Sequence, residues 1–153
     1  MADDYAGRHG IIDEIRRLTG RVLDAATIRK RRFGRQRYPL HPLIRGIYKP
    51  AGETIVATIL IALDSPYRDE VVRQGKSWCA VYHKQAGSPG QWDNKAMAAS
   101  VGHDVGVLQQ VSSRPKAAYL VLGVGRLAAF DSRNSLALIT SPSVQLASAG
   151  TGS

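Results

Sequence analysis

The sequence has few of the residues that build covalent or metal-held scaffolds. It contains one cysteine, Cys79, among 153 residues, which excludes a disulfide framework and zinc sites with several cysteine ligands. Its four histidines show no metal-ligand spacing, and no glycine-rich loop precedes a Lys followed by Ser or Thr. We therefore expect no metal, no cofactor and no phosphate-loop nucleotide site.

Long hydrophobic runs are also missing. The longest, residues 55–63, is nine residues with one Thr inside it, about half of what crosses a bilayer. No secretory segment is recognisable in the sequence. The length suits one domain with a hydrophobic core, so we expect a soluble, cytoplasmic protein with no membrane partner.

Most of the net charge of +9 lies in the first third of the chain, where basic residues far outnumber acidic ones. Residues 1–50 hold 12 basic and 5 acidic side chains, whereas the remainder holds 9 and 7. Arg and Lys make most protein contacts to nucleic-acid phosphates, and six engaged cations give a salt slope of about −5. A solvated basic surface is the alternative. The predicted backbone contacts are Arg29, Lys30, Arg31, Arg32, Arg35 and Arg37, with Arg45 and Lys49 beyond them.

Apolar spacing predicts an α+β domain with a mixed sheet or barrel. Two short helices are expected within residues 10–30, interrupted at Thr19-Gly20, and a later helix over residues 93–101. A bend is expected at Gly123 or Gly125. The expected strands cover residues 54–63, 77–83, 105–111, 117–130 and 135–140. The domain boundaries are a helical, basic extension (1–40), a barrel domain (41–140) and a disordered tail (141–153).

Aromatic and acidic residues occur close together between residues 67 and 82. Tyr67, Asp69 and Glu70 follow the first predicted strand, and Trp78 and Tyr82 lie on one face of the next. A flipped pyrimidine is held by stacking on aromatic rings, and the amino group of cytosine donates to a carboxylate. Core aromatics beside a solvated acidic turn are the other interpretation of the same residues.

Five weak motifs, in order over about residues 41–131, resemble the SRA (SET and RING associated) domains. The most similar members are the divergent SRA-like domains attached to modification-dependent (type IV) HNH restriction enzymes of actinobacteria. The motifs are Arg-Gly-Ile-Tyr (45–48), a hydrophobic strand (54–63), Tyr-Arg-Asp-Glu (67–70), Asn-Lys-Ala-Met-Ala (94–98) and a closing pair of strands (105–111 and 119–130).

The resemblance implies a twisted, PUA-like β-barrel that flips 5-methylcytosine out of duplex DNA. By position, Tyr67 would stack on the base, and Tyr82 with Trp78 would close the other side. Asp69 or Glu70 would accept from the exocyclic amine; family spacing favours Glu70 and the local Tyr-x-Asp pattern favours Asp69, which we prefer. The expected protein is a non-catalytic reader of DNA containing modified cytosine, with a nuclease partner acting in trans.

The sequence departs from the SRA pattern in two loops. The Tyr-Asp-Gly triplet is absent before Tyr119, and only eleven residues separate Tyr82 from Asn94. The resemblance therefore does not imply a long loop that probes the opposite strand. Candidates to fill the gap left by a flipped base are Gln91, Trp92, Tyr48 and Lys49.

Three other functions remain open from the sequence. PUA-like barrels also bind structured RNA, and the arginine-rich run suits either polymer. A small metal-dependent nuclease would need carboxylates that converge from Asp64, Asp69, Glu70, Asp93 and Asp104. The last is an interaction domain whose charge has no specific role.

Overall fold

A computed structural model describes residues 2–33, 38–43, 46–63, 69–83 and 91–142. The fold is α+β, with three helices and ten strands in these ranges. No described helix is both long and apolar enough to cross a membrane. The elements are α1 (Ala2–Leu18), β1 (Val22–Asp24), α2 (Ala25–Lys30), β2 (Arg32–Phe33), β3 (Tyr38–Pro39), β4 (Ile47–Tyr48), β5 (Thr58–Ile61), β6 (Glu70–Gln74), β7 (Ser77–His83), α3 (Gln91–Ser100), β8 (Asp104–Ser112), β9 (Ala118–Asp131) and β10 (Leu136–Thr140).

The main sheet is mixed and open, with strand order β4-β5-β8-β9-β10-β7-β6 and β1 added beside β9. All described pairs are antiparallel except β5 with β8. Over the described residues β4 and β6 do not pair with each other, so the prediction of a closed barrel is wrong. The two edge strands are short, two and five residues, and each pairs along one edge only.

The N-terminal helix α1 is part of the core. Ile11, Ile15 and Leu18 are almost fully buried and pack with Leu108 and Val121 of the sheet. The buried positions of α1 are spaced three and four residues apart, so one face of the helix packs on the sheet. A second cluster lies around β5, β7 and α3.

The second predicted helix begins later than its apolar spacing indicated. Val22 and Leu23 belong to β1, which pairs with Ala118–Leu120 of β9. The Asp24 side chain accepts a hydrogen bond from the Thr27 N–H at 2.8 Å and so caps α2. Pairing with a long neighbouring strand therefore outweighs local helical spacing at these positions.

Strand β9 is irregular at the predicted bend. Its register with β8 shifts beside Gly123, which has a φ of 135°, a conformation that favours glycine. On its other edge β9 pairs first with β1 and then, from Arg126 onward, with β10. Neither strand pairs with residues 122–125 on that edge, which leaves a gap in the sheet.

Candidate nucleic-acid interface

Asp69 is a predicted site residue whose side chain is fixed by burial and by hydrogen bonding. It directly precedes β6, and only 3% of its side chain is exposed. Its Oδ1 accepts a hydrogen bond from the His83 backbone N–H at 2.8 Å, at the end of β7. Burial raises the pKa of the carboxyl, and the His83 N–H, the His83 ring and the Ala62 N–H act in the opposite direction. The fold thus places a desolvated hydrogen-bond acceptor where β5, β6 and β7 meet.

Glu70, the alternative acid, lies in a different environment. It is the first residue of β6, pairs with Val81 and is exposed. Adjacent residues of a strand point to opposite faces, so Asp69 and Glu70 cannot serve the same pocket equally. The structure separates the two candidates that sequence spacing left open.

His83 is a site residue that the sequence reasoning did not select. Its Nδ1 lies 3.9 Å from Asp69 Oδ1 and, among the described residues, has no hydrogen-bond partner although it is buried. About a third of the side chain is exposed. No sequence motif marks His83. Its position directly after Tyr82, at the end of the predicted strand, is the signal that could have identified it.

Tyr82 lies at the same end of β7 as Asp69, but its ring is covered. Only 5% of the residue is exposed, and it belongs to the core cluster. A Cβ on Gly46 would lie 2.2 Å from the Tyr82 Oη, so the ring packs directly against the backbone at Gly46. As the structure stands, Tyr82 has no open face on which a base could stack.

The structure does not bring Trp78 to the Asp69 site. The predicted shared face is confirmed, because Trp78, Ala80 and Tyr82 are the buried positions of β7. However, Trp78 is five residues from His83, about 16 Å along an extended strand. It borders a separate cleft near the β6–β7 turn. The expectation that Trp78 and Tyr82 share one wall of a base pocket is therefore corrected.

The basic segment is partly used inside the protein. Arg29 and Lys30 are exposed in the last turn of α2, and Arg32 is exposed in β2. Arg31 forms an ion pair with Glu14, which also binds Arg17. Hydrogen bonding and charge from Arg17 lower the pKa of Glu14. Arg31 is thus held at α1 by a carboxylate that it shares with Arg17, and the prediction that it is a free phosphate contact is wrong.

Other predicted residues are placed as follows. The Lys49 ammonium donates to the backbone carbonyl of Glu53 at 2.6 Å, and Tyr48 is partly buried with its ring 5.9 Å from that of His41. Burial raises the pKa of Tyr48. Outside the described residues lie Arg35, Arg37, Arg45, Asp64 and Tyr67, and nothing is described of the Gln91, Trp92 and Asp93 side chains.

Strand β5 connects the basic segment to Asp69. At its start, the Thr58 hydroxyl donates to the Leu40 carbonyl at 2.9 Å, close to the chain that follows the basic run. At its end, the Ala62 N–H faces the Asp69 carboxyl. Four residues of strand span about 13 Å, a distance that one DNA footprint covers.

Metal binding has no support among the described side chains. No group of three His, Cys, Asp or Glu residues within them is arranged to hold an ion. Asp104, one of the carboxylates considered for a nuclease, instead lies near Arg16 and Arg126 at 3.3 and 3.8 Å.

Comparison with known proteins adds no relative. No family model matches the chain, and searches of curated proteins and of solved structures gave no significant match.

Proposed function

We propose that this protein is a non-catalytic DNA-binding module that reads modified cytosine, above all 5-methylcytosine, in duplex DNA by base flipping. The observation that carries the proposal is the buried, positioned carboxylate of Asp69. The proposal includes a PUA-like relationship for the open sheet, as the motif order over residues 41–131 suggests.

The chemistry of Asp69 suits the amino edge of cytosine. A buried carboxylate is costly unless donors reach it, and the raised pKa reflects that cost. The exocyclic amine of an extruded cytosine is a donor that would lower this pKa again. Asp69 is preferred to Glu70 because only its carboxylate is buried among strand ends.

The stacking partners are Tyr67 and Tyr82. Tyr67 lies two residues before Asp69 in the sequence, within about 7 Å along an extended chain. Tyr82 lies at the Asp69 end of β7, beneath Gly46. Stacking on Tyr82 therefore requires displacement of the Gly46 segment, and base insertion is coupled to a local rearrangement.

Asp69→Ala tests the site, with Glu70→Ala as the matched control. Removal of the acceptor should lower affinity for a methylated duplex about tenfold, because hydrogen bonds to charged groups contribute about 1.5 to 3 kcal/mol. It should also remove the methyl preference, which one buried methyl limits to about fourfold. Binding to paired duplexes that differ only in cytosine methylation gives both values. If Glu70→Ala alone loses the preference, the acid is misassigned.

Extrusion of the base is tested by fluorescence of 2-aminopurine placed next to the methylated cytosine. Unstacking should raise the emission when the protein saturates the duplex. Unchanged emission would contradict flipping even if binding is tight. A structured RNA that displaces the methylated duplex would favour the RNA-binding alternative instead.

The basic segment is tested through salt dependence. Arg29→Gln with Lys30→Gln should reduce the slope of log affinity against log salt by about 2, since each lost phosphate contact removes about one released counterion. Arg31→Gln is the control, because this guanidinium is paired with Glu14. We expect it to leave the slope nearly unchanged; equal effects of Arg31 and of the exposed pair would disprove the assignment.

A further inference from the structure

A cleft of about 480 Å³ lies at the end of β7 away from Asp69. The end of α1, the irregular part of β9, the β6–β7 turn and Ser141-Pro142 surround it. It opens where β9 lacks a neighbour between β1 and β10. Its volume is within the range typical of small-molecule sites.

All the charged residues that line this cleft are basic. Its lining contains Arg16, Arg73 and Lys76 and no Asp or Glu. Arg16 is already near Asp13 and Asp104, at 3.4 and 3.3 Å. Arg73 and Lys76 are exposed on the β6–β7 hairpin. A cleft with this lining favours an anion, and two exposed cations on one hairpin favour a doubly charged phosphate over a carboxylate.

The interior of the cleft is apolar, and the Trp78 indole lies in its wall. Leu120, Val121, Leu122 and Val124 form the apolar lining. Trp78 is 94% buried, and its Nε1 is the indole atom nearest to Gly123, 3.8 Å from where a Cβ would be. Within the described residues the Trp78 backbone is hydrogen-bonded to Ser141, but the indole N–H meets no acceptor. An indole N–H at the wall of a cleft can donate to a ligand that supplies an acceptor.

We propose that this cleft binds a nucleobase that carries a phosphate. The base lies against the apolar lining with a ring nitrogen or carbonyl accepting from the Trp78 N–H, and the phosphate lies at Arg73 and Lys76. Such a ligand is either a free nucleotide or a nucleotide at the end of a DNA strand. This site is separate from Asp69 and does not depend on it, because the two lie at opposite ends of β7.

Calorimetry with AMP, adenosine and inorganic phosphate tests the combination of ring and anion. We expect AMP to bind one to one, and each fragment alone to bind at least about tenfold more weakly. Equal affinity for phosphate and AMP would overturn the proposal, as would no binding of AMP. A short oligonucleotide with a 5′ phosphate, compared with AMP, identifies which source of the ligand is preferred.

Charge-matched variants locate the binding. Arg73→Gln with Lys76→Gln should weaken AMP binding at least about tenfold, whereas Arg29→Gln with Lys30→Gln should change it less than about twofold. Equal weakening by both pairs would show non-specific charge attraction and reject the site.

In a Trp92→Phe variant, Trp78 is the only remaining tryptophan. Its emission should change when AMP is added and stay constant with sodium chloride at equal ionic strength; no change with AMP would reject the site.

The same variants separate this proposal from the Asp69 proposal. The Arg73 and Lys76 pair should retain the preference for methylated duplex that Asp69→Ala removes. Loss of AMP binding with the methyl preference intact supports two independent sites. Loss of both properties in a folded Arg73 and Lys76 variant would contradict their separation.

Discussion

Gly46→Ala is expected to lower the free energy of unfolding by about 3 kcal/mol, at the upper end of what overpacking costs in a well-packed core. The added Cβ would lie 2.2 Å from Tyr82 Oη and 2.6 Å from two ring carbons. The Tyr82 ring is buried in the core, and the Gly46 carbonyl accepts from the Leu60 N–H at 2.7 Å. Neither side of the contact can therefore move freely. Chemical denaturation of the parent and the variant gives the difference.

Two controls assign this cost to the contact with Tyr82. Gly106→Ala meets Ile15 Cγ1 and Thr58 Cγ2 at 2.9 and 3.0 Å, contacts longer than the 2.2 Å at Gly46, so it should cost less, about 1 kcal/mol. In a Tyr82→Ala background, Gly46→Ala should cost much less than in the parent, because the opposing ring is gone. An equal cost in both backgrounds would show that the ring is not the obstacle.

Acidification is expected to destabilise the protein by about 2 kcal/mol between pH 7 and about pH 5 through His41 alone. Burial lowers the pKa of His41 from 6.5 to about 4. Its Nδ1 accepts from the Leu43 N–H at 2.8 Å, so the ring proton is on Nε2, facing the Gly46 carbonyl at 3.4 Å. Below pH 6.5 the His41 ring binds a proton in the unfolded chain but remains neutral in the folded chain. Stability is therefore lost as pH falls from 6.5 towards 4.

His41→Asn isolates this effect because its side-chain oxygen can still accept from Leu43. The variant should be less stable at pH 7, yet should lose about 2 kcal/mol less than the parent on acidification to about pH 5. The raised pKa of Asp69 acts in the opposite direction, and subtracting the two profiles cancels it. Parallel profiles for the parent and His41→Asn would refute the argument.

The spacing of apolar residues in the sequence was sufficient to predict an element where that strand or helix has one buried face. Strand β7 was predicted at its observed bounds, Ser77–His83, and its half-buried and buried positions alternate without a break. Strands β8, β9 and β10 were each correct to within one residue. Strands β1, β2, β3, β4 and β6 were missed. The first four are only two or three residues long, and β1 also depends on its pairing with β9. Strand β6 has mostly exposed side chains and carries no alternating signal.

The candidate site was only partly accessible from the sequence. The spacing of Trp78 and Tyr82 gave their common face, but a shared face over four residues still separates side chains by about 13 Å. Likewise, the proximity of Asp69 and Glu70 could not show which carboxylate is buried. That depends on the β6–β7 hairpin, which brings the His83 N–H to Asp69. The Arg31 ion pair needed α1 to be placed beside the basic segment.

The parallel pairing of β5 with β8 makes the Asp69 site a property of the whole chain. It joins Thr58 to Gly106, residues that are far apart in the sequence. The surroundings of Asp69 come from the end of β5, the start of β6 and the end of β7, with Gly46 over the adjacent Tyr82. No short peptide contains these parts, so the candidate site cannot be transplanted as a loop. A protein engineer who wishes to reuse it must move the entire sheet.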